Sequence, residues 1–244
     1  MTYIEGFVLA VPTANKDAYL KHAEDFQPMF ASVGVRRVVE CWADDVPEGK
    51  ITDFRKAVQA TDDETIVFSW FEYQDRAARD AGTAAMMADP EMERLSKSDM
   101  PFDGKRMIIG GFDSILDEGS GKGGYIDGVI TPIPHTNKDA YLAMATHTSA
   151  IFHEFGAVRV VEGWGDDLND GKVTDYRRAV LAQDGENVAF SWIEWPDKAT
   201  RDAGWAKVME DDRMKFEGGM PFDGKRMFWG GFTPILDKDG GDYA

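Results

Sequence analysis

Four glutamates stand inside apolar runs: Glu40 in VVECW, Glu72 in FSWFE, Glu162 in VVEGW and Glu194 in FSWIE. The flanking β-branched and aromatic residues read as strands. Alternation then puts Val38, Glu40 and Trp42 on one strand face and Phe68, Trp70 and Glu72 on another. Val160, Glu162 and Trp164, then Phe190, Trp192 and Glu194, repeat both sets. A carboxyl beside an indole in a low-dielectric setting has a raised pKa and suits a general acid or base. Glu40, Glu72, Glu162 and Glu194 are therefore the candidate catalytic residues. Arg55 and Arg177, expected on the intervening strands, would instead neutralise them as ion pairs, the plainer outcome for a glutamate in a sheet. Trp42, Trp70, Trp164 and Trp192 would line an interior or simply fill it. With Arg55, Arg177 and His22 they form the candidate ligand-binding set.

Other chemistry is thinly represented. His22 follows Tyr19 by three residues on a predicted helix, but its counterpart in the second half is Met144, so histidine chemistry cannot occur twice. His147 and His153 are six residues apart and make poor co-ligands on one helix, and no metal site is expected. Asp44-Asp45 and Asp166-Asp167 precede turns at Gly49-Lys50 and Gly171-Lys172 and read as solvated turn carboxylates rather than a cation grip. The lone Cys41, replaced by Gly163 in the second half, reads as a small buried residue; one cysteine rules out an intramolecular disulfide and a cysteine-based zinc site. Nucleotide-phosphate loops of the GxGxxG or GxxxxGK[ST] kind are missing, and no cofactor is expected.

Composition narrows the partners. The 244 residues are 43% hydrophobic and 29% charged, enough for real cores. Lys and Arg number 27 against 44 Asp and Glu, a net charge of -17. That argues against nucleic acid, which needs clustered cations, and against an anionic membrane surface. No apolar run would span a bilayer, and MTYIEGFVLAVPTANK lacks the basic start of a signal peptide. A cytoplasmic protein is expected, with a small-molecule ligand as the partner that a buried site would take.

The chain is two copies of one unit. NKDAYL at Asn15 returns at Asn137, RVVECWADD at Arg37 as RVVEGWGDD at Arg159, RDAG at Arg79 again at Arg201, and MPFDGKRM at Met100 again at Met220. Residues 1–118 form the first unit, 119–124 a glycine-rich linker and 125–244 the second. Each unit reads as β-α-β-β-(β)-α-β. The expected elements are strands over 3–12, 35–42, around 51–60, over 65–73 and over 105–112. Helices are expected from an Asn15 cap to Gly34, with Tyr19, Ala23, Phe26, Phe30 and Val33 as its apolar stripe, and from an Asp75 cap to Ala88. That order is the α+β ferredoxin-like pattern, with both helices on one sheet face. Apolar residues on the other face predict that the two units cover each other as an intramolecular pseudo-dimer, with further oligomerisation open.

ANKDAYLKHAEDF, RVVECWADDVPEGKITDF, FSWFEY and MPFDGKRMIIGGF resemble the YbaA-like family of uncharacterised proteins, over essentially all of both copies. Members of that family are typically single-domain. The resemblance implies a dimeric α/β-barrel fold, in which two ferredoxin-like units close their sheets into one barrel. Its wider superfamily includes small-molecule monooxygenases, isomerases, haem enzymes and proteins with no known activity, so the fold supplies a place and no chemistry. The resulting expectation is a small-molecule-binding or cofactor-free enzyme-like protein, monooxygenase-like or isomerase-like, with its site in the barrel interior. The alternative is a non-catalytic interaction module with a solid barrel and an acidic surface.

Overall fold

The computed structural model describes residues 2–92, 99–216 and 218–240. The first half runs β1 (Tyr3–Pro12), α1 (Lys16–Ser32), β2 (Arg37–Asp45), α2 (Phe54–Ala57), β3 (Glu64–Tyr73), α3 (Arg76–Ala88) and β4 (Ile108–Gly119). The second runs β5 (Tyr125–Pro134), α4 (Lys138–Glu154), β6 (Arg159–Asp167), α5 (Tyr176–Ala179), β7 (Glu186–Trp195), α6 (Lys198–Glu210) and β8 (Phe228–Asp239). No helix among the described residues is long and apolar enough to cross a membrane.

The eight strands close into one antiparallel barrel, ordered β1-β3-β2-β8-β5-β7-β6-β4. The two units do not stack as separate sheets. Instead β4 pairs with β1 from Val8↔Ile108 to Tyr3↔Asp113, then continues along β6 from Gly111↔Asp167 to Gly119↔Arg159. β8 does the same with β5 and β2. Each last strand thus belongs to both halves, and the closed sheet has no free edge. The last strand is longer than the sequence predicted because this second half of it finds its partner only in the other copy.

Aromatic rings fill the interior. Phe68 stacks on Phe190 at 4.5 Å and 5°, and Trp70 on Trp192 at 4.3 Å and 29°. Phe112 and Phe232 pack against the phenylalanine pair at 5.2 and 5.3 Å. The space is tight enough that a Cβ on Gly6 would lie 2.9 Å from the Phe190 ring. The segments expected as strands around Ile51 and Val173 are instead turns leading into the short helices α2 and α5. Asp53 and Asp175 cap them, each accepting from a backbone N–H three residues on, at 2.7 and 2.8 Å. Burying Phe54 and Tyr176 in the barrel mouth decides the matter. Phe54 lies 4.9 Å from Phe228, and Tyr176 lies 5.1 Å from Phe112. Thr52 and Thr174 donate across the two copies to the Ala179 and Ala57 carbonyls, both at 2.6 Å.

Helix ends follow local chemistry, except at the starts of α1 and its counterpart α4. Asp75 caps α3 through the Ala78 N–H at 2.8 Å, and Gly34 ends α1 at φ +79°. Asn15 does not cap α1: a 3-10 turn, Thr13–Asn15, leads into that helix, and the Asn15 amide donates to the Pro101 carbonyl at 2.9 Å instead.

The Asp-Asp turns, expected to be solvated, clasp the two copies. Asp166 accepts from Tyr3 at 3.1 Å and Arg76 at 2.6 Å, and Asp167 accepts from Arg79. Reciprocally, Asp44 accepts from Tyr125 at 2.8 Å and from Lys198, and Asp45 lies 3.3 Å from Arg201. The repeated DD and RDAG motifs are thus two sides of one contact.

Candidate functional site

The four sequence-predicted glutamates fall into two pairs on opposite faces of the sheet. Glu72 and Glu194 point inward at one end of the barrel. Arg159 donates to both oxygens of Glu72 at 2.8 and 3.0 Å, and Arg37 to both oxygens of Glu194 at 2.8 and 2.9 Å. The same guanidinium groups also hold Asp117 and Asp237. The indole N–H groups of Trp70 and Trp192 each donate to the neighbouring glutamate at 3.0 Å. Every carboxylate oxygen of this pair has a charged donor, so the pair is an internal ion network with no free base. Trp70 and Trp192 are fully buried and fill the barrel.

Glu40 and Glu162 point outward, beneath the helices. Glu40 lies opposite Ser69 in the β2–β3 ladder, and Glu162 opposite Ser191 in β6–β7. The Tyr19 hydroxyl on α1 donates to Glu40 Oε2 at 2.6 Å, and Ser69 also hydrogen-bonds this carboxyl. In the second half Tyr141 and Ser191 both donate to Glu162 Oε2. Among the described residues no cation is ion-paired to either glutamate. Burial, opposed by the tyrosine and serine hydrogen bonds, pushes the Glu40 carboxyl up to about 7. Burial raises Glu162 in the same way. Burial and the adjacent carboxylate hold the Tyr19 phenol well above its usual range, so it stays a neutral donor.

Trp42 and Trp164 belong to this outer site rather than to the interior. Their rings lie 6.4 Å from Tyr19 and 6.5 Å from Tyr141, with Lys16 and Lys138 over them at 5.3 and 5.1 Å. The MPFDGKRM segment covers each site. Phe102 meets Tyr19 edge-on at 5.8 Å, and Phe222 meets Tyr141 at 6.0 Å. The cover is tied down on both sides. Asn15 and Asn137 donate to the Pro101 and Pro221 carbonyls at 2.9 and 2.7 Å. Arg106 holds Glu64 at 2.6 and 2.8 Å, and Arg226 holds Glu186 at 2.7 Å through both nitrogens. The Arg106 guanidinium pulls the Glu64 carboxyl down to about 2.

His22 stands half-buried beside the first site, 5.9 Å from Phe102 and 4.8 Å from Phe26, and burial lowers its pKa. Met144 takes its place in the second half, packed against the Tyr141–Trp164 cluster. Arg55 and Arg177 reach none of the four glutamates. They sit on α2 and α5, where Arg55 donates to the Thr61 and Glu64 carbonyls at 2.6 and 3.0 Å, and Arg177 to the Glu186 carbonyl at 3.4 Å. The glutamate partners are Arg37 and Arg159, at the head of the same RVVE motif. Sequence reasoning also missed Tyr19, Ser69 and Phe102. The available signal was that NKDAYL, FSW and MPFDGKRM each return unchanged in the second copy.

Residues 2–104 and 124–224 each match the family described as "Protein of unknown function (DUF1428)". The chain belongs to the DUF1428 family. Like the structure, the family match is a tandem one. The uncharacterized protein YbaA of Escherichia coli (strain K12) is 56% identical over 118 residues, which is 48% of this chain and 100% of that protein. The same figures hold for the YbaA of Shigella flexneri. Among solved structures, a putative monooxygenase from Lactobacillus acidophilus NCFM aligns with a TM-score of 0.57 at 10% identity, over 98% of this chain and 96% of that one. An anthrone oxidase-like protein aligns with a TM-score of 0.57 at 10% identity, over 99% and 95%. At such identities the likeness extends to the barrel alone. This DUF1428 chain is a dimeric α/β barrel made from one polypeptide.

Proposed function

We propose that this DUF1428 protein is a small-molecule enzyme working by proton transfer at Tyr19–Glu40 and Tyr141–Glu162, in the layer between helices and sheet. The observation that carries the reading is a carboxyl buried without a cation, raised by burial and bonded to a buried phenol, built twice, with the rise reaching about 7 at Glu40. A group with a pKa near the working pH takes up and returns protons most effectively. Tyr19 stands between Glu40 and the Phe102 cover. Its oxygen would receive a proton from an acidic C–H as its own proton passes to Glu40 Oε2, and the reverse transfer would re-protonate a neighbouring carbon. That chemistry suits isomerisation of an enol, or oxygenation of an enolisable aromatic ketone once its carbanion meets dioxygen. The reading needs no bound cofactor. Glu72 and Glu194 hold the barrel together in it. The solid interior favours the competing reading, a purely structural module, and the test separates the two.

Anthrone in air, followed as anthraquinone, and phenylpyruvate tautomerisation probe the two reaction types. The protein should accelerate one of them. The Glu40→Gln/Glu162→Gln double variant should lose a factor of about 10² to 10⁴, and Tyr19→Phe/Tyr141→Phe a comparable part of it. Absence of acceleration of either probe, or full activity in the glutamine double variant, overturns the reading.

A further inference from the structure

The helices beside the two Tyr–Glu pairs carry different residues in the two halves. In the second, a groove of about 630 Å³ runs between α4 and the chain at 213–216 and 218–221. Ala140, Ala143 and Met144 form one wall, and Phe216, Met220 and Pro221 the other. The helix spacing puts the first three on one face, and two alanines there leave room. Met144 lies in both places at once: it lines the groove and packs against Tyr141 and Trp164 beneath. The first half has Ala18, Lys21 and His22 at the corresponding helix positions. There Lys21 bridges to Asp25 at 2.9 Å along the helix, with Asp25 standing where the second half has His147.

We infer that this groove binds a neutral aromatic molecule of one to three rings, with its polar edge directed past Met144 toward Tyr141–Glu162. This rests on the proposed function in taking Tyr141–Glu162 as the reacting end. Three features select the ligand. The volume is that of a small-molecule site. The walls offer a phenylalanine ring and two thioethers, which favour aromatic faces and edges. The cations at the rim are already neutralised: Arg213 is held by Asp211 and by Glu154, at 2.6 and 2.8 Å, and Lys215 by Asp212 at 2.5 Å. With Arg213 and Lys215 already paired, the described walls favour an uncharged ring system over an anion.

The test uses the full chain and N-phenyl-1-naphthylamine, a neutral fluorophore that brightens in apolar surroundings. Saturable binding with one site per chain is expected. Ala143→Lys, which imports the first half's residue at an exposed helix position, should weaken binding at least tenfold, and Met220→Asp on the opposite wall should do the same. Lys21→Ala in the first half should leave binding unchanged. Two equivalent sites, no saturable binding, or retained binding in both groove variants would overturn the inference. Failure of the two proposals is distinguishable. Probe binding lost in Ala143→Lys, together with unchanged turnover in the Glu40→Gln/Glu162→Gln variant, sinks the enzymatic reading and leaves the binding site. Turnover lost in the glutamine variant with no saturable probe binding does the reverse.

Discussion

Glu194 on β7 and Glu40 on β2 are the same residue type, both buried in one barrel, yet they meet opposite kinds of partner. Glu194 faces inward and meets Arg37 through both oxygens, with Trp192 and the Gly123 N–H completing its shell. Glu40 faces outward and meets only hydroxyl groups. An arginine fork compensates a buried charge in full, whereas two hydroxyls compensate it in part, and the remaining cost appears as affinity for a proton. Burial alone therefore does not make a carboxyl reactive. What decides is which partners the sheet face supplies.

The largest effect should come from breaking the inward network. Glu194→Ala removes the two-oxygen partner of buried Arg37 and leaves it Asp237 at 2.9 Å and Glu72 at 3.6 Å, and a loss of about 3 kcal/mol is expected in urea unfolding at neutral pH. A loss below about 1 kcal/mol would erase the contrast between the two glutamates.

An intermediate effect, and one with a sign, should come from the outward pair. The Glu40 carboxyl rises from 4.5 in the unfolded chain to about 7 in the fold, so the folded protein binds the proton more tightly. That stabilising contribution is complete below pH 4.5 and fades as pH climbs through 7. Compared with Glu40→Gln, whose amide has no proton to lose, the natural chain should therefore lose on the order of 3 kcal/mol across that window. Unfolding curves for both proteins from pH 4 to 8 measure this directly. Parallel curves, or a difference that grows in the other direction, would show that the hydroxyl groups keep Glu40 ionised.

The smallest effect belongs to the exposed clasp. Lys198→Ala removes a half-exposed partner of Asp44 while Tyr125 remains, and a loss far smaller than that of Glu194→Ala is expected, shrinking further in salt. A loss equal to that of Glu194→Ala would mean that the surface clasp, rather than the inward network, joins the halves.

Much of this was legible beforehand. The repeat, the α+β order, the strand faces of Glu40 and Glu72 and the Asp75 cap follow from local pattern, which the structure keeps. What local pattern does not carry is the choice of partner. Alternation places Glu40 and Trp42 on one face without saying whether that face looks into the barrel or toward α1. The pattern therefore groups Trp42 with Trp70, though the two lie on opposite sides of the sheet. Strand-like residues over 51–60 put Arg55 on an intervening strand as the expected glutamate partner. Its helical turn is imposed by burying Phe54 in a barrel mouth that exists only when both copies are present. The Asp-Asp turns are polar by composition and become contacts for the same reason.

The tandem arrangement has one more consequence. In a symmetric pair of identical chains every substitution is made twice, so an innovation in one pocket must be tolerated in the other. Here β4 and β8 close the same ring, but each is encoded separately. A residue such as His22 can become Met144 on one side while the opposite side stays as it was. Joining the halves gives such a protein a spare, free to specialise while its twin preserves the original trade.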